Sequence, residues 1–178
     1  IIPVTLELGG KSPAIVAPDY PIDTAAQRIA AGKLLNAGQT CIAPDYVFVP
    51  NDKREAFLGA LRAYVARHYP ELRETPDYSS IVNDNHYQRL QALVKEASDA
   101  GTRVEVLPDA SAHDPERRIF APTVILDPDQ GLRVMQEEIF GPVLPVIGYD
   151  RIEEALEFVN SRPRPLALYP FGFGSDEL

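Results

Sequence analysis

Short apolar runs alternate with longer amphipathic stretches along most of this 178-residue chain. The strand-like runs are residues 4–8, 14–16, 46–49, 103–107, 121–126, 143–147 and 166–169. Helical periodicity covers residues 22–38, a stretch after Asn51, residues 84–100 and residues 152–159. Strands that alternate with helices of about ten or more residues predict a layered α/β fold with a mainly parallel sheet.

Local signals suggest where the helices begin and end. Asp23 or Thr24 is predicted to cap the first helix, because short polar side chains accept hydrogen bonds from free backbone N–H groups at a helix start. The apolar spacing continues to Gly38, where the helix is predicted to stop. Gly101 has the same role after the helix that begins near Asp84.

Composition excludes several classes of function. The net charge of −9 argues against non-specific nucleic-acid binding, which needs a basic surface. Apolar runs fall short of the roughly 20 residues of a membrane span, and the basic start of a signal peptide is lacking. A single cysteine suits a reducing compartment, so we expect a cytoplasmic protein.

Cys41 is the only cysteine in the chain, and it follows Gly38, Gln39 and Thr40. A lone thiol forms no internal disulfide and anchors no multi-cysteine metal site, so it is either a small buried hydrophobe or a nucleophile. Its position between a helix and a strand favours the nucleophile, because backbone amides at such a boundary point at a reacting atom. A free thiol has a pKa near ~8.5 and needs local help to ionise.

Two acidic segments are further candidates. Glu7 ends a strand-like run before two glycines, as a general base over a cleft would, although an exposed turn fits equally well. Glu138 lies in residues 137–143 (Glu-Glu-Ile-Phe-Gly-Pro-Val), where a carboxylate could bind ribose hydroxyls while Phe140 flanks a flat heterocycle. The alternative is a solvated acidic turn with Phe140 in the core.

Other familiar motifs are missing from the sequence. His68, His86 and His113 are scattered and form no metal-ligand pattern, so we expect no metal site. Residues 9–12 (Gly-Gly-Lys-Ser) lack the upstream glycine of a phosphate-binding loop. No Gly-x-Gly-x-x-Gly fingerprint is present.

Three motifs together resemble those of the aldehyde dehydrogenase superfamily, in its order and at similar spacing. Residues 6–13 are similar to its glutamate motif, residues 38–41 to its nucleophile motif and residues 137–143 to its cofactor-facing motif. Residues 41–46 and 164–169 further resemble the class-3 branch, nearest to the coniferyl aldehyde dehydrogenase sub-family.

The resemblance implies a role for each candidate. Cys41 would attack the aldehyde carbonyl, Glu7 would activate the water that hydrolyses the thioester, and Glu138 and Phe140 would contact the nicotinamide end of the cofactor. NAD would be that cofactor, with NADP as the alternative, and the substrate would be a small aldehyde. The fold implied is the three-layer sandwich of the family's catalytic domain.

The resemblance also implies that residues 1–178 are a catalytic domain cut from a longer chain. In the family, the cofactor-binding domain lies mostly before the glutamate motif, and an oligomerisation arm of the homo-oligomer follows the catalytic domain. We therefore expect the chain alone to be inactive. A cysteine-dependent ester hydrolase and a non-catalytic binding or scaffold domain are the alternatives.

Overall fold

A computed structural model describes residues 2–3 and 9–174 of the chain. The strands are β1 (Pro13–Val16), β2 (Tyr46–Pro50), β3 (Arg103–Val106), β4 (Thr123–Leu126), β5 (Val143–Tyr149) and β6 (Tyr169–Phe171). The helices are α1 (Ile22–Leu34), α2 (Arg54–His68), α3 (Asp84–Asp99), α4 (Arg133–Gln136) and α5 (Ile152–Asn160). The predicted strand at residues 4–8 lies outside the described residues.

The strands form one sheet in the order β3-β4-β5-β2-β1-β6. All neighbouring pairs are parallel except β3 and β4. The inner strands β1, β2 and β4 are buried along their whole length, as the apolar strands of a parallel sheet covered on both faces are. The edge strand β3 instead carries Arg103 and Glu105, charges that discourage pairing with another chain.

Helices cover both faces of the sheet. Leu34 of α1 and Leu61 of α2 line a small cavity with Val124 and Leu144, which are register partners in β4 and β5. On the opposite face, Phe158 of α5 packs its ring 5.2 Å from that of Phe48 in β2. Helix α3 shares this second face, where it forms a groove with Val104 of β3. The predicted three-layer α/β fold with a mainly parallel sheet is therefore confirmed.

The predicted ends of some elements are wrong. The N-cap of α1 is Pro21, which makes no side-chain capping bond, so neither Asp23 nor Thr24 caps the helix. The last strand begins at Tyr169 rather than at residue 166, because its pairing with β1 starts at that residue. The short helix α4 has no counterpart in the predictions, since four residues are too few to show a helical period.

The first helix also ends earlier than predicted. It stops at Leu34, and a 3₁₀ turn (Leu35–Gly38) follows in which Asn36 and Ala37 have left-handed backbone angles, φ +51° and +52°. L-residues disfavour this region, so the α-helix cannot continue through them. Gly38, at φ +74°, completes the reversal of the chain.

Parallel topology brings distant segments together at one edge of the sheet. Residues 9–12 precede β1, residues 39–45 precede β2, residues 137–142 precede β5 and residues 166–168 precede β6. These four strands are consecutive neighbours, and parallel strands begin at the same edge. The candidate residues therefore gather at the amino ends of the strands, whereas ligands of open α/β sheets usually bind at the carboxyl ends.

Candidate functional site

Cys41 lies in an exposed turn within a segment that we call the cysteine loop, residues 36–45. The turn is closed by a 3.1 Å hydrogen bond from the backbone N–H of Ala43 to the carbonyl of Thr40. Among the described residues, the backbone N–H of Cys41 donates to no other group. An exposed sulfur thus has a free amide donor within its own residue.

The side chain of Gln39 fixes the start of the cysteine loop from within the protein. Its amide nitrogen donates to the carbonyls of Asn36 and Ser80, both at 3.1 Å. Its amide oxygen accepts a 2.9 Å bond from the N–H of Val82. Gln39 is buried, so these bonds to backbone groups are shielded from water and tie the loop to the segment before α3.

The cysteine loop also packs directly on a second segment, the acidic turn, residues 137–141. A Cβ atom placed on Gly38 would lie 2.3 Å from the carbonyl oxygen of Gly141. A Cβ on Gly141 would in turn lie 2.5 Å from Leu90 of α3. Glycine is required at Gly38 because backbone meets backbone there, and at Gly141 a side chain would displace the Leu90 side chain. The nucleophile motif and the cofactor-facing motif are therefore in contact.

Lys11 and Asp45 form a buried ion pair beneath these segments. The Lys11 ammonium also donates to the carbonyls of Val134 at 2.8 Å and Glu137 at 2.9 Å. The second carboxylate oxygen of Asp45 accepts a 3.0 Å bond from the N–H of Ile139. Burial lowers the pKa of Lys11, and Asp45 opposes that shift. One ion pair thus connects the segment before β1, the cysteine loop and the acidic turn.

Glu138 folds back on the two glycines that follow the predicted base. A Cβ on Gly9 would lie 2.3 Å from the Oε2 atom of Glu138. The Oε1 atom is buried and has no partner among the described residues. Burial raises the pKa of Glu138, while the backbone N–H of Gly10 acts in the opposite direction. A cleft of about 240 Å³ opens between Glu138, Gly9, Gly10 and Arg162.

Phe140 and its neighbours give the site an apolar rim. Phe140 is 37 % exposed and has a left-handed backbone, φ +52°. The ring is therefore not in the core, and a role of Phe140 beside a flat heterocycle stays a prediction. The other exposed large apolar side chains on the segments around Cys41 are Leu35, Ile42, Val82, Leu166 and Leu168. Tyr169 supports the rim, since its hydroxyl donates to the carbonyl of Ile42.

The three histidines lie in separate places. His68 stacks on Tyr64, His86 bonds to the carbonyl of Phe140, and the Nδ1 atom of His113 accepts from the N–H of Ala121. None of the three bonds to Cys41 in the described part of the chain. Over residues 2–3 and 9–174, no group of three or more His, Cys, Asp or Glu side chains could hold a metal ion. Within the same ranges, every helix is too short or too polar to cross a membrane.

The structure brings Cys41, Glu138 and Phe140 to one edge of the sheet, whereas Glu7 lies outside the described residues. Sequence reasoning missed Lys11, Asp45 and Gln39, which connect the segments. A lysine directly after two glycines and an aspartate directly before a buried strand were the available signals. Neither signal identifies its partner, because the partners are 34 residues apart.

Lys33 of α1 is a buried amine below the site, 2 % exposed and without a hydrogen-bond partner among the described residues. Burial lowers its pKa to about 8, with Asp45 opposing and Lys11 adding to the shift. A buried unpaired ammonium destabilises the folded state, since its charge is taken out of water without compensation. The Glu138 carboxylate also opposes the shift, so Lys33 lies within electrostatic range of both acidic groups of the site.

Replacing Lys11 by Met tests the ion pair. We expect Lys11→Met to lower the free energy of unfolding by about 3–5 kcal/mol, because it leaves the Asp45 carboxylate buried and unpaired. Urea unfolding measures the change, and Lys11→Met/Asp45→Asn should recover part of it. The control Lys95→Met removes an exposed pair with Asp99 and should change the free energy by less than about 1 kcal/mol. Equal effects of the two lysine substitutions would contradict the assigned role.

Lys33 makes stability depend on pH in a defined direction. Its folded-state pKa lies below the unfolded value, so the unfolded chain binds more protons between about pH 8 and pH 10, and stability rises across that range. At pH 7 the variant Lys33→Met should be more stable than wild type by about 3 kcal/mol. Urea unfolding at pH 7 and at pH 9.5 should show this difference shrinking. A variant less stable than wild type at pH 7 would refute a buried unpaired ammonium.

Comparison with known proteins places these features in one family. The sequence model of the aldehyde dehydrogenase family matches residues 1–172. The chain is 49 % identical over 99 % of its length to the "Probable coniferyl aldehyde dehydrogenase" of Caulobacter vibrioides, and 50 % identical over 97 % to the protein of the same name in Pseudomonas aeruginosa. It spans 36 % of the length of each of these relatives.

Solved structures of other proteins point to the same family. The substrate-bound AldH of Staphylococcus aureus matches with a TM-score of 0.88 at 39 % identity, over 99 % of this chain and 37 % of that one. The NADP complex of an NADP-dependent glyceraldehyde-3-phosphate dehydrogenase from Bacillus halodurans matches with a TM-score of 0.81 at 28 % identity. The match covers 96 % of this chain and 35 % of that one. An indole-3-acetaldehyde dehydrogenase in complex with NAD⁺ matches with a TM-score of 0.79 at 26 % identity, over 96 % of this chain and 35 % of that one. The chain therefore belongs to the aldehyde dehydrogenase family.

Proposed function

We propose that this chain is the catalytic domain of an aldehyde dehydrogenase, with Cys41 as the nucleophile in the oxidation of an aldehyde to a carboxylic acid by a nicotinamide dinucleotide. The observation that carries the proposal is the exposed Cys41 thiol in a loop that packs, through Gly38, on the acidic turn. Family membership supports oxidation of an aldehyde as the reaction of the whole protein.

The proposed chemistry follows from the thiol and its surroundings. The Cys41 thiolate forms a C–S bond with the carbonyl carbon, and the oxygen becomes an oxyanion to which the free backbone N–H of Cys41 can donate. The carbon then loses a hydride as its C=O bond forms again, which leaves a thioester. Water attacks the thioester, gives a proton to Glu7 and breaks the C–S bond, so that the carboxylic acid leaves and the thiolate is restored.

The residues of the acidic turn fit a nicotinamide dinucleotide. The unpartnered Oε1 atom of Glu138 suits a ribose hydroxyl donor, and the exposed ring of Phe140 suits the face of a flat heterocycle. When bound there, the nicotinamide supplies the acceptor for the hydride. We propose NAD as the cofactor with NADP as the alternative, since the similar structures include complexes with each.

A separate cofactor-binding domain completes this proposal. The chain spans about a third of the length of its relatives, and the apolar rim around Cys41 fits coverage by further protein. We propose that residues 1–178 are the catalytic domain of a longer homo-oligomeric enzyme in the cytoplasm. The names of the two bacterial relatives favour an aromatic aldehyde of the coniferyl type.

Two other functions were open at the level of sequence. A cysteine hydrolase that uses Cys41 and Glu7 needs a histidine or other base near the thiol, and none of the three histidines bonds to Cys41 in the part of the chain that the structure describes. A scaffold domain has no need of an exposed thiol at the same sheet edge as a carboxylate oxygen that has no partner among the described residues. Both alternatives are therefore less well supported than the dehydrogenase.

Burst and steady-state kinetics of the full-length protein test the assignment. With coniferyl aldehyde and NAD, wild type should reduce NAD continuously, and Cys41→Ser should abolish reduction because the serine hydroxyl, unlike a thiol, stays protonated and is a weak nucleophile. Glu7→Gln should keep a burst of about one reduced nicotinamide per active site and slow the later turnover about 100-fold, because only thioester hydrolysis needs the base. Absorbance of the reduced nicotinamide measures both phases, with NADP and an aliphatic aldehyde run in parallel.

Three controls separate the alternatives. Thr40→Ser changes the neighbour of Cys41 conservatively and should keep turnover within about twofold. Residues 1–178 alone should react with a thiol reagent at Cys41 and yet not reduce NAD, since hydride transfer needs a cofactor held in a narrow geometry. Robust turnover by that chain would refute the domain proposal. Ester hydrolysis with no aldehyde-dependent reduction of either cofactor would favour the hydrolase.

A further inference from the structure

Arg89 of α3 binds the backbone of the acidic turn at two consecutive carbonyls. One guanidinium nitrogen donates to the carbonyl of Ile139 at 2.8 Å, and the other donates to that of Glu138 at 2.5 Å. The second nitrogen also lies 3.2 Å from the Glu137 carboxylate. A rigid guanidinium with several parallel donors restricts a backbone more than a single hydrogen bond does.

His86, one helical turn before Arg89, binds the next carbonyl. Its Nε2 atom lies 2.6 Å from the carbonyl oxygen of Phe140. A carbonyl only accepts, so Nε2 carries the hydrogen in this bond. The two rings also meet edge to face, with centroids 6.1 Å apart. Three successive carbonyls, from Glu138 to Phe140, are therefore held by two side chains of α3.

The held conformation is an unfavourable one. Phe140 has φ +52°, which a bulky L-residue adopts only where the surroundings impose it. The N–H of Ile139 bonds to buried Asp45 on one side, and Leu90 packs against Gly141 on the other. Within residues 9–174, the bonds to the carbonyls of residues 138–140 come from His86 and Arg89. Without them the turn keeps its contacts with Asp45 and Leu90 but loses the bonds that oppose relaxation towards ordinary backbone angles.

The start of α3 also contacts the cysteine loop. Asn83 caps the helix by accepting a 2.8 Å bond from the N–H of His86. Ser80 and Val82 precede this cap in sequence, and Gln39 of the cysteine loop bonds to both of them. One helix end therefore sits between the segment that carries Cys41 and the segment that carries Glu138.

We propose that Arg89 and His86 are positioning residues that hold Glu138 and Phe140 in the conformation that binds the nicotinamide end of the cofactor. This inference rests on the proposed function, because it assigns Glu138 and Phe140 to cofactor binding. Neither side chain touches the reacting atoms in this role. Their loss weakens cofactor binding while the aldehyde and the thiol are unaffected.

Backbone hydrogen exchange tests the positioning without any catalysis. In Arg89→Met, the amides of residues 138–141 should exchange at least tenfold faster, because a lost charge-assisted bond shifts a local opening equilibrium about that much. In Arg89→Lys the exchange rate of these amides should lie between those of wild type and Arg89→Met, since lysine keeps the positive charge but lacks the two parallel donors of the guanidinium. His86→Phe removes one hydrogen-bond donor while keeping an aromatic ring, and it should also make these amides exchange faster. The control Arg28→Met changes an exposed arginine of α1 and should leave this segment unchanged.

Kinetics of the full-length enzyme tests the functional part. Arg89→Met and His86→Phe should each raise the KM for the dinucleotide about tenfold, leave the KM for the aldehyde within about twofold, and leave the alkylation rate of Cys41 unchanged. Unchanged exchange of residues 138–141 in both folded variants overturns the inference, and so does faster exchange with an unchanged dinucleotide KM. If wild type oxidises no aldehyde, the proposed function fails, while the exchange arm still decides whether α3 holds the turn.

Discussion

The ion pair between Lys11 and Asp45 is the interaction on which the rest of this site depends. It joins segments that precede β1 and β2, and through the carbonyl of Glu137 and the amide of Ile139 it also holds the acidic turn before β5. A buried pair is stable only when its remaining hydrogen-bonding capacity is used, and here backbone groups use it. The same bonds that neutralise two charges therefore fix the relative positions of Cys41 and Glu138.

A second constraint is the strained backbone that surrounds this pair. Asn36, Ala37 and Phe140 all have left-handed angles, and each belongs to a segment that reverses direction before a strand. Such angles persist only where packing and hydrogen bonds determine them. Gln39 supplies those bonds in the cysteine loop, and α3 supplies them at the acidic turn. Rigidity at this edge thus comes from side chains that bind backbone rather than substrate.

Much of the fold could be predicted from the sequence, because its signals are local. Apolar runs at β1, β2, β4 and β5 and helical spacing in α1, α2, α3 and α5 depend on neighbours within a few turns. Errors arose where distant contacts decide. Pro21 begins α1 without a polar cap, and β6 starts at Tyr169 because its partner strand sets the register. Neither fact has a signal within its own segment.

The sequence by itself determined the chemistry that is available: one cysteine after a helix, a glutamate before paired glycines and a Glu-Glu-Ile-Phe-Gly turn. Only the tertiary structure decided that Cys41 and Glu138 share an edge, that Lys33 is buried without a partner in the described part of the chain and that Arg89 binds the acidic turn. The physical reason is that strand order is a global property. It follows from how helices and strands bury their apolar faces together, and side chains far apart in sequence become neighbours only through that packing.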